Sequence, residues 1–230
     1  MYFHALIEET EAVFSRFSCL NKIELPNRFA KIEHTEYDGV LTLENHFYRL
    51  NDLGHIRLAH TYAPKINIIA TFFFPDPDLQ LPVYSMEFVM LGEKPIIALM
   101  DMACLLKPMS ESKTVEDFMI SAHAAYPEYS RNQPLPEWFD QCRSGVEFFF
   151  RPTLPEAFKG LSQLNLRLLQ NLTELILTPD SYGNEDAVLH QNNIQAYKMH
   201  HRINSPGLRL MNRSFGPEWT QEYLGSYLFG

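Results

Sequence analysis

The hydrophobic pattern changes character along the chain. In residues 1–18, Phe3, Ala5, Leu6, Val13, Phe14 and Phe17 recur at helical spacing, which predicts an N-terminal helix. From there to about residue 150 the pattern is strand-like. The runs FAKIEHTEY, GVLTLENHFYRL, INIIATFFF, LPVYSMEFVML, KPIIALMDMA and GVEFFFRP are short and rich in β-branched and aromatic residues. Turn signals such as Asp38-Gly39 and Leu91-Gly92-Glu93-Lys94 separate several of them. Helical periodicity returns over 154–176, with Pro155 near the start, where a helix accepts it. A second helix is predicted over 186–202, interrupted by Pro206-Gly207, and a last one after Pro217.

Successive strands over short turns pair antiparallel. Several runs are apolar at both odd and even positions, so both faces of the sheet need cover. The expected class is α+β: a three-layer α/β/α sandwich with a central antiparallel β-sheet. Neither repeats nor a long linker divide the 230 residues.

Composition narrows the chemistry. The formal charge of -9 repels phosphate backbones, which argues against a nucleic-acid partner. No apolar run reaches the ~20 residues that span a bilayer, and the N-terminus lacks the basic cluster of a secretory signal. Cys19, Cys104 and Cys142 are too scattered for a disulfide frame or a four-cysteine iron–sulfur site. A cytoplasmic protein is expected. Without a glycine-rich nucleotide motif, a redox role would need electrons from outside the chain.

One strand combines an acid with apolar neighbours. Alternation along 81–90 puts Val83, Ser85, Glu87 and Val89 on one face, and Tyr84, Met86, Phe88 and Met90 on the other. Pairing Met90 with Pro95 across the Gly92 turn sets Glu87 opposite Ala98. Ile96, Ala98 and Met100 then share its face, and Asp101 points away. A carboxyl over such residues resists ionisation and can act as a proton donor near neutral pH. The plainer alternative is a solvated glutamate on an open sheet face.

Four strings occur in order: Glu44-Asn45 with Tyr48; Phe74-Pro75-Asp76-Pro77 ahead of Leu81-Pro82; Phe150-Arg151-Pro152; and Ser214-Phe215-Gly216-Pro217-Glu218-Trp219 with Tyr223 and Leu228-Phe229. In this order and spacing the sequence resembles the ferredoxin-dependent bilin reductases, most nearly their phycocyanobilin branch, from about Leu41 to the C-terminus. A single domain over 1–230, acting as a monomer, is expected. The resemblance implies biliverdin or a related bilin held between the sheet and the C-terminal helices. It also implies no bound cofactor and no metal, with reduced ferredoxin supplying electrons one at a time while protein acids supply protons.

Departures from the family pattern are informative. Glu87 stands where an aspartate is usual, and its extra methylene moves the carboxyl by roughly 1.5 Å, against a cost of about a hundredfold for a misplacement near 1 Å. Ala70 and Ala59 replace a histidine and a glutamate, and Ser205 replaces an aspartate of other branches. His60, read on a helical segment, would turn about 100° away from its neighbour. With three of four proton-handling positions neutral, the expectation is a two-electron reduction with Glu87 as donor and a 15,16-dihydrobiliverdin-like product. Reduction at the central C10 bridge and non-catalytic bilin binding are the alternatives, together with reduction of another open-chain tetrapyrrole.

The binding wall expected for the pigment comprises Ile68, Ala70, Phe72, Ser85, Val89, Ile96 and Ala98. Arg131 is a candidate for a propionate, and Asn204 for pyrrole nitrogens or lactam oxygens, its plainer role being a local cap. Between Ala187 and Pro217 there are no acids but Lys198, Arg202, Arg209 and Arg213, a candidate docking surface for an acidic ferredoxin. An ordinary solvated helix face is the alternative. Adjacent His200 and His201 diverge on a helix and do not form a metal pair.

Overall fold

The computed structural model describes residues 2–36, 39–106, 112–129, 134–135, 137–151, 157–205 and 207–230. Helix α1 (Tyr2–Phe14) precedes strand β1 (Leu20–Ile23), the short helix α2 (Asn27–Ala30) and strand β2 (Lys31–Glu36). Strands β3 (Gly39–Leu50), β4 (Gly54–Ala63), β5 (Ile66–Pro75), β6 (Val83–Leu91) and β7 (Lys94–Ala103) then run in succession. Helix α3 (Ser112–Ala125) and the short strand β8 (Phe148–Phe150) follow. The chain closes through α4 (Ala157–Leu177), α5 (Asn184–Asn204), α6 (Leu208–Phe215), α7 (Pro217–Tyr223) and a π turn at Leu224–Leu228.

Every strand pairing among the described residues is antiparallel. The order is β1-β3-β4-β5-β6-β7-β8, with β2 beside β3 as well. Gly92, at φ +61, makes the tight turn between β6 and β7 in a backbone region that glycine enters without steric penalty.

Two apolar layers cover the sheet. On one face Ile69, Phe73, Tyr84, Met86, Phe88 and Met100 pack against α1, α3 and α4. Helix α4 presents Leu161, Leu164, Leu168, Leu172 and Ile176, a row at helical spacing that is almost wholly buried. On the other face Leu43, Phe72, Phe74, Leu99 and Phe149 pack against α5, α7 and the π turn. The three-layer sandwich follows from strands apolar at both odd and even positions. No described helix is long and apolar enough to cross a membrane.

Three local readings change. Residues 54–63 form strand β4, not a helical segment, so His60 departs from Ala59 by strand alternation to the opposite face. There its ring meets Tyr62 at 4.7 Å and its Nε2 meets Asn67 Oδ1 at 2.8 Å. Helix α3 lies where no helix was expected. Most consequential is a bulge in the β6–β7 pairing between Val89 and Met90. Met90 does pair with Pro95, but beyond the bulge Val89 pairs with Ile97, Glu87 with Leu99 and Ser85 with Asp101. One extra residue exchanges the faces of β7. Ala98 and Met100 belong to the far core, and Ile97, Leu99 and Asp101 share the face of Glu87.

Candidate active site

A row of paired residues crosses the sheet: Asn45, Ala59, Ala70, Glu87, Leu99 and Phe149. Directly paired side chains project to the same side of a sheet. Ala70 beside Glu87 and Ala59 next beyond it leave room above the sheet, and a cavity of about 1040 Å³, counted to its open mouth, occupies that room. The floor is Leu43, Ala59, Thr61, Ile68, Ala70, Phe72, Glu87, Val89, Ile97 and Leu99. Trp138, Phe139 and Phe149 form one side. The roof comes from His201 and Ser205, from Gly207, Leu210 and Met211, and from Tyr223, Leu228 and Phe229.

Glu87 is the one carboxylic acid among the described residues of this wall. It is half-buried, and the surface it keeps faces the cavity. Burial pushes its pKa up to about 7, because the charged form loses hydration that this wall does not replace. Glu87 is therefore a half-buried acid facing the cavity, not a fully solvated one, and its pKa lies near neutrality.

Opposite it, the His201 ring is caged by Phe72, Trp138, Phe139, Tyr197 and Phe229. Burial lowers its pKa to about 3, so the imidazole is neutral at physiological pH. The roof is tied to the floor by Tyr223, whose hydroxyl donates to Asn45 Oδ1 at 2.7 Å, while Asn45 Nδ2 donates to Phe29 O at 2.6 Å. Tyr227 reaches the carbonyls of His46 and Leu58 at 2.9 and 3.0 Å. These links tie the C-terminal segment to β3 and β4 and so set the cavity height.

The structure brings Ile68, Ala70, Phe72, Glu87 and Val89 to the cavity wall. It does not bring Ser85, Ile96, Ala98 or Asn204 there. Ser85 is buried on the same face, beside Tyr197. Ile96 is the residue left between paired positions at the bulge, and Ala98 faces the far layer. Asn204 donates to His200 O at 2.9 Å, a local cap at the end of α5. Arg131 lies outside the described residues. Lys198 is buried, bonded to Gly230 O at 2.7 Å and set 4.6 Å from the Phe74 ring centre, so it presents no docking charge. Arg202 is half-buried, whereas Arg209 and Arg213 are exposed one turn apart on α6.

The aromatic roof and sides escaped sequence reasoning. Helical spacing places Leu224, Tyr227 and Leu228 on one face, but nothing in it says which part of the sheet they cover. Nothing in the sequence around His201 says that it roofs a cavity. Among the described residues no three His, Cys, Asp or Glu side chains are placed to hold a metal ion.

Comparison with known proteins places the chain among relatives of one family. Phycocyanobilin:ferredoxin oxidoreductase from Trichodesmium erythraeum (strain IMS101) is 26% identical over 233 residues, covering 97% of this chain and 91% of that protein. The 15,16-dihydrobiliverdin:ferredoxin oxidoreductase of Parasynechococcus marenigrum (strain WH8102) is 23% identical over 219 residues, covering 90% and 89%. The crystal structure of tomato phytochromobilin synthase in complex with biliverdin shares the fold, with a TM-score of 0.85 at 13% identity, over 99% of this chain and 82% of that one. The model of the family described as ferredoxin-dependent bilin reductase matches residues 7–230. By that match over nearly all of its length, the chain belongs to the ferredoxin-dependent bilin reductase family.

Proposed function

We propose that this protein reduces biliverdin IXα by two electrons, to a 15,16-dihydrobiliverdin-like product. Reduced ferredoxin supplies the electrons singly, and Glu87 gives protons to the pigment radicals. The observation that carries this reading is a half-buried carboxylic acid, with a pKa near 7, the one such group among the described residues of a mainly apolar cavity wall. Apolar walls suit the conjugated rings, and an acid protonated near neutrality suits protonation of a radical anion. Ala70 beside Glu87 and Ala59 next beyond it in the same row offer no further proton, which favours one two-electron step over two. The chain's own contribution is to exclude water, hold the pigment flat against the sheet and deliver protons at one place.

Electrons must enter from a surface near the roof. Arg209 and Arg213 on α6 are exposed cations close to roof residues Leu210 and Met211, and they suit an acidic ferredoxin. Lys198 is withdrawn from that role by its burial.

The test is an anaerobic assay with biliverdin, ferredoxin and a ferredoxin-reducing system, followed by absorbance. Wild type should bind biliverdin and convert it to a blue-shifted product. Glu87→Gln should bind it with similar affinity and turn over at least about a hundredfold more slowly. Full activity in Glu87→Gln removes Glu87 from the mechanism, and a stable biliverdin complex in wild type marks a carrier.

A further inference from the structure

A two-electron reduction takes up two protons, and Glu87 carries one at a time. Between the two protonations it must be reloaded, and the remaining described cavity wall is mainly apolar. A second buried acid lies behind it. Asp101 is 1% exposed and is not part of the cavity wall. It pairs directly with Ser85, two residues from Glu87 on the same face, so the two carboxyls are diagonal neighbours across β6 and β7. Such diagonals bring Cβ atoms within about 7–8 Å.

Hydroxyl groups stand beside both acids. Tyr197, from α5, approaches Ser85 and lies within electrostatic reach of both Asp101 and Glu87. Asp101 Oδ2 accepts the Ser144 backbone N–H at 2.9 Å, and no described group bonds its Oδ1. Ser144 is half-buried and lines a second, smaller cleft with Arg143, Glu116 and Cys104. The site face thus holds a sequence of proton-bearing groups: Ser144 at the outer end, then Asp101, Ser85 with Tyr197, and Glu87.

Resting on the reading of Glu87 as proton donor, we propose that Asp101 is a positioning residue that reloads Glu87 through the Ser85 and Tyr197 hydroxyls between the two protonations of the pigment. Glu87 gives its proton to the bilin radical anion and becomes a carboxylate. Each hydroxyl then accepts one proton and passes on its own, so that Glu87 is reprotonated and Asp101 becomes the carboxylate. Asp101 recovers a proton from water at the Ser144 end. Only O–H bonds form and break, and the electrons come from ferredoxin throughout. Burial pushes the Asp101 pKa up to about 7, the Ser144 hydrogen bonds oppose that rise and the Glu147 charge adds to it. Glu147 is itself paired with Arg143 at 3.0 Å, and Cys142 nearby is held neutral by burial. Two acids of matched pKa exchange a proton with little driving force lost.

Asp101→Asn separates this role from a merely structural one, because its amide oxygen still accepts the Ser144 N–H but the side chain carries no acid proton. The measurement is anaerobic reduction of bound biliverdin, with the radical followed by absorbance and electron paramagnetic resonance. Expected are unchanged biliverdin affinity and radical formation, and radical decay slowed about tenfold or more with the pH dependence set by Glu87 retained. Decay at the wild-type rate overturns the proposal. Should Asp101→Asn fail to fold, the double variant Ser85→Ala, Tyr197→Phe cuts the same path with Asp101 in place. Unslowed decay there overturns it equally. Wild type that does not reduce biliverdin overturns the parent reading and this one together, whereas wild-type turnover with normal radical decay in the variants overturns this one alone.

Discussion

Ser85 and Asp101 face each other directly across β6 and β7, and through that pairing one buried acid is placed beside another. The relationship depends on the Val89/Met90 bulge. Without it, Asp101 would project into the far apolar core, where Met100 and Met102 lie.

Glu87 should govern a pH dependence in both activity and stability. Its pKa rises from an ordinary carboxyl value to about 7, so the donating acid form prevails below 7 and is lost above it. Turnover should therefore fall as pH rises through about 7. The folded state binds this proton more tightly than the unfolded state does. The stabilisation is complete below the unfolded value near 4.5 and is lost as pH rises through 7. A shift of this size corresponds to at most about 3 kcal/mol. Glu87→Gln, which cannot ionise, should gain thermal stability relative to wild type between pH 5 and pH 8, as scanning calorimetry at several pH values would read. A constant difference would show that Glu87 is hydrated in the folded state.

Ala70→Phe should block pigment binding while leaving the fold intact. The residue pairs with Glu87 and lines the cavity, so a ring there fills open space and does not overpack a core. Biliverdin affinity should drop by about tenfold or more, roughly 1.4 kcal/mol, with the circular dichroism spectrum unchanged. Undiminished binding would place the pigment elsewhere.

Tyr223→Phe should loosen the roof. It removes the 2.7 Å hydrogen bond to Asn45 and leaves a buried amide oxygen unpaired. The expected cost is about 1–3 kcal/mol, a fall in melting temperature of roughly 2–4 °C per kcal/mol at this chain length. Thermal denaturation reads this directly, and an unaltered melting temperature would rule out a structural part for the link.

Reversing the charges of Arg209 and Arg213 to glutamate should raise the KM for ferredoxin several-fold and leave biliverdin binding unchanged. The salt dependence of turnover should weaken as well, since screening acts on the same surface charges. Salt-sensitive turnover with an unchanged KM in that variant would move docking to another face.

Much of the fold was legible because period-2 and helical patterns are local. Runs such as INIIATFFF announce a strand whatever surrounds them, and the leucine row of α4 announces its buried face. Strand β4 was less legible, since residues 54–63 mix Gly, His, Arg and Thr with apolar residues and give no clean alternation. The face of Glu87 could be read from its own strand. Its neighbours on β7 could not, because the bulge costs one residue of register and leaves no mark in the composition of either strand. Lys198 shows the same limit. A lysine in an acid-free stretch reads as surface charge, yet here it is folded over Phe74 and bonded to the Gly230 carbonyl.

The amino-acid order alone determined the alternation of apolar layers, the antiparallel succession of strands and the presence of an acid among apolar neighbours, because each of these depends on residues a few positions apart. Tertiary structure decided which side chains meet across strands and how far above the sheet the C-terminal helices stand. It also decided how much water reaches Glu87. Those quantities depend on register and on contacts between distant segments, and a carboxyl's readiness to hold a proton is set by that assembled enclosure.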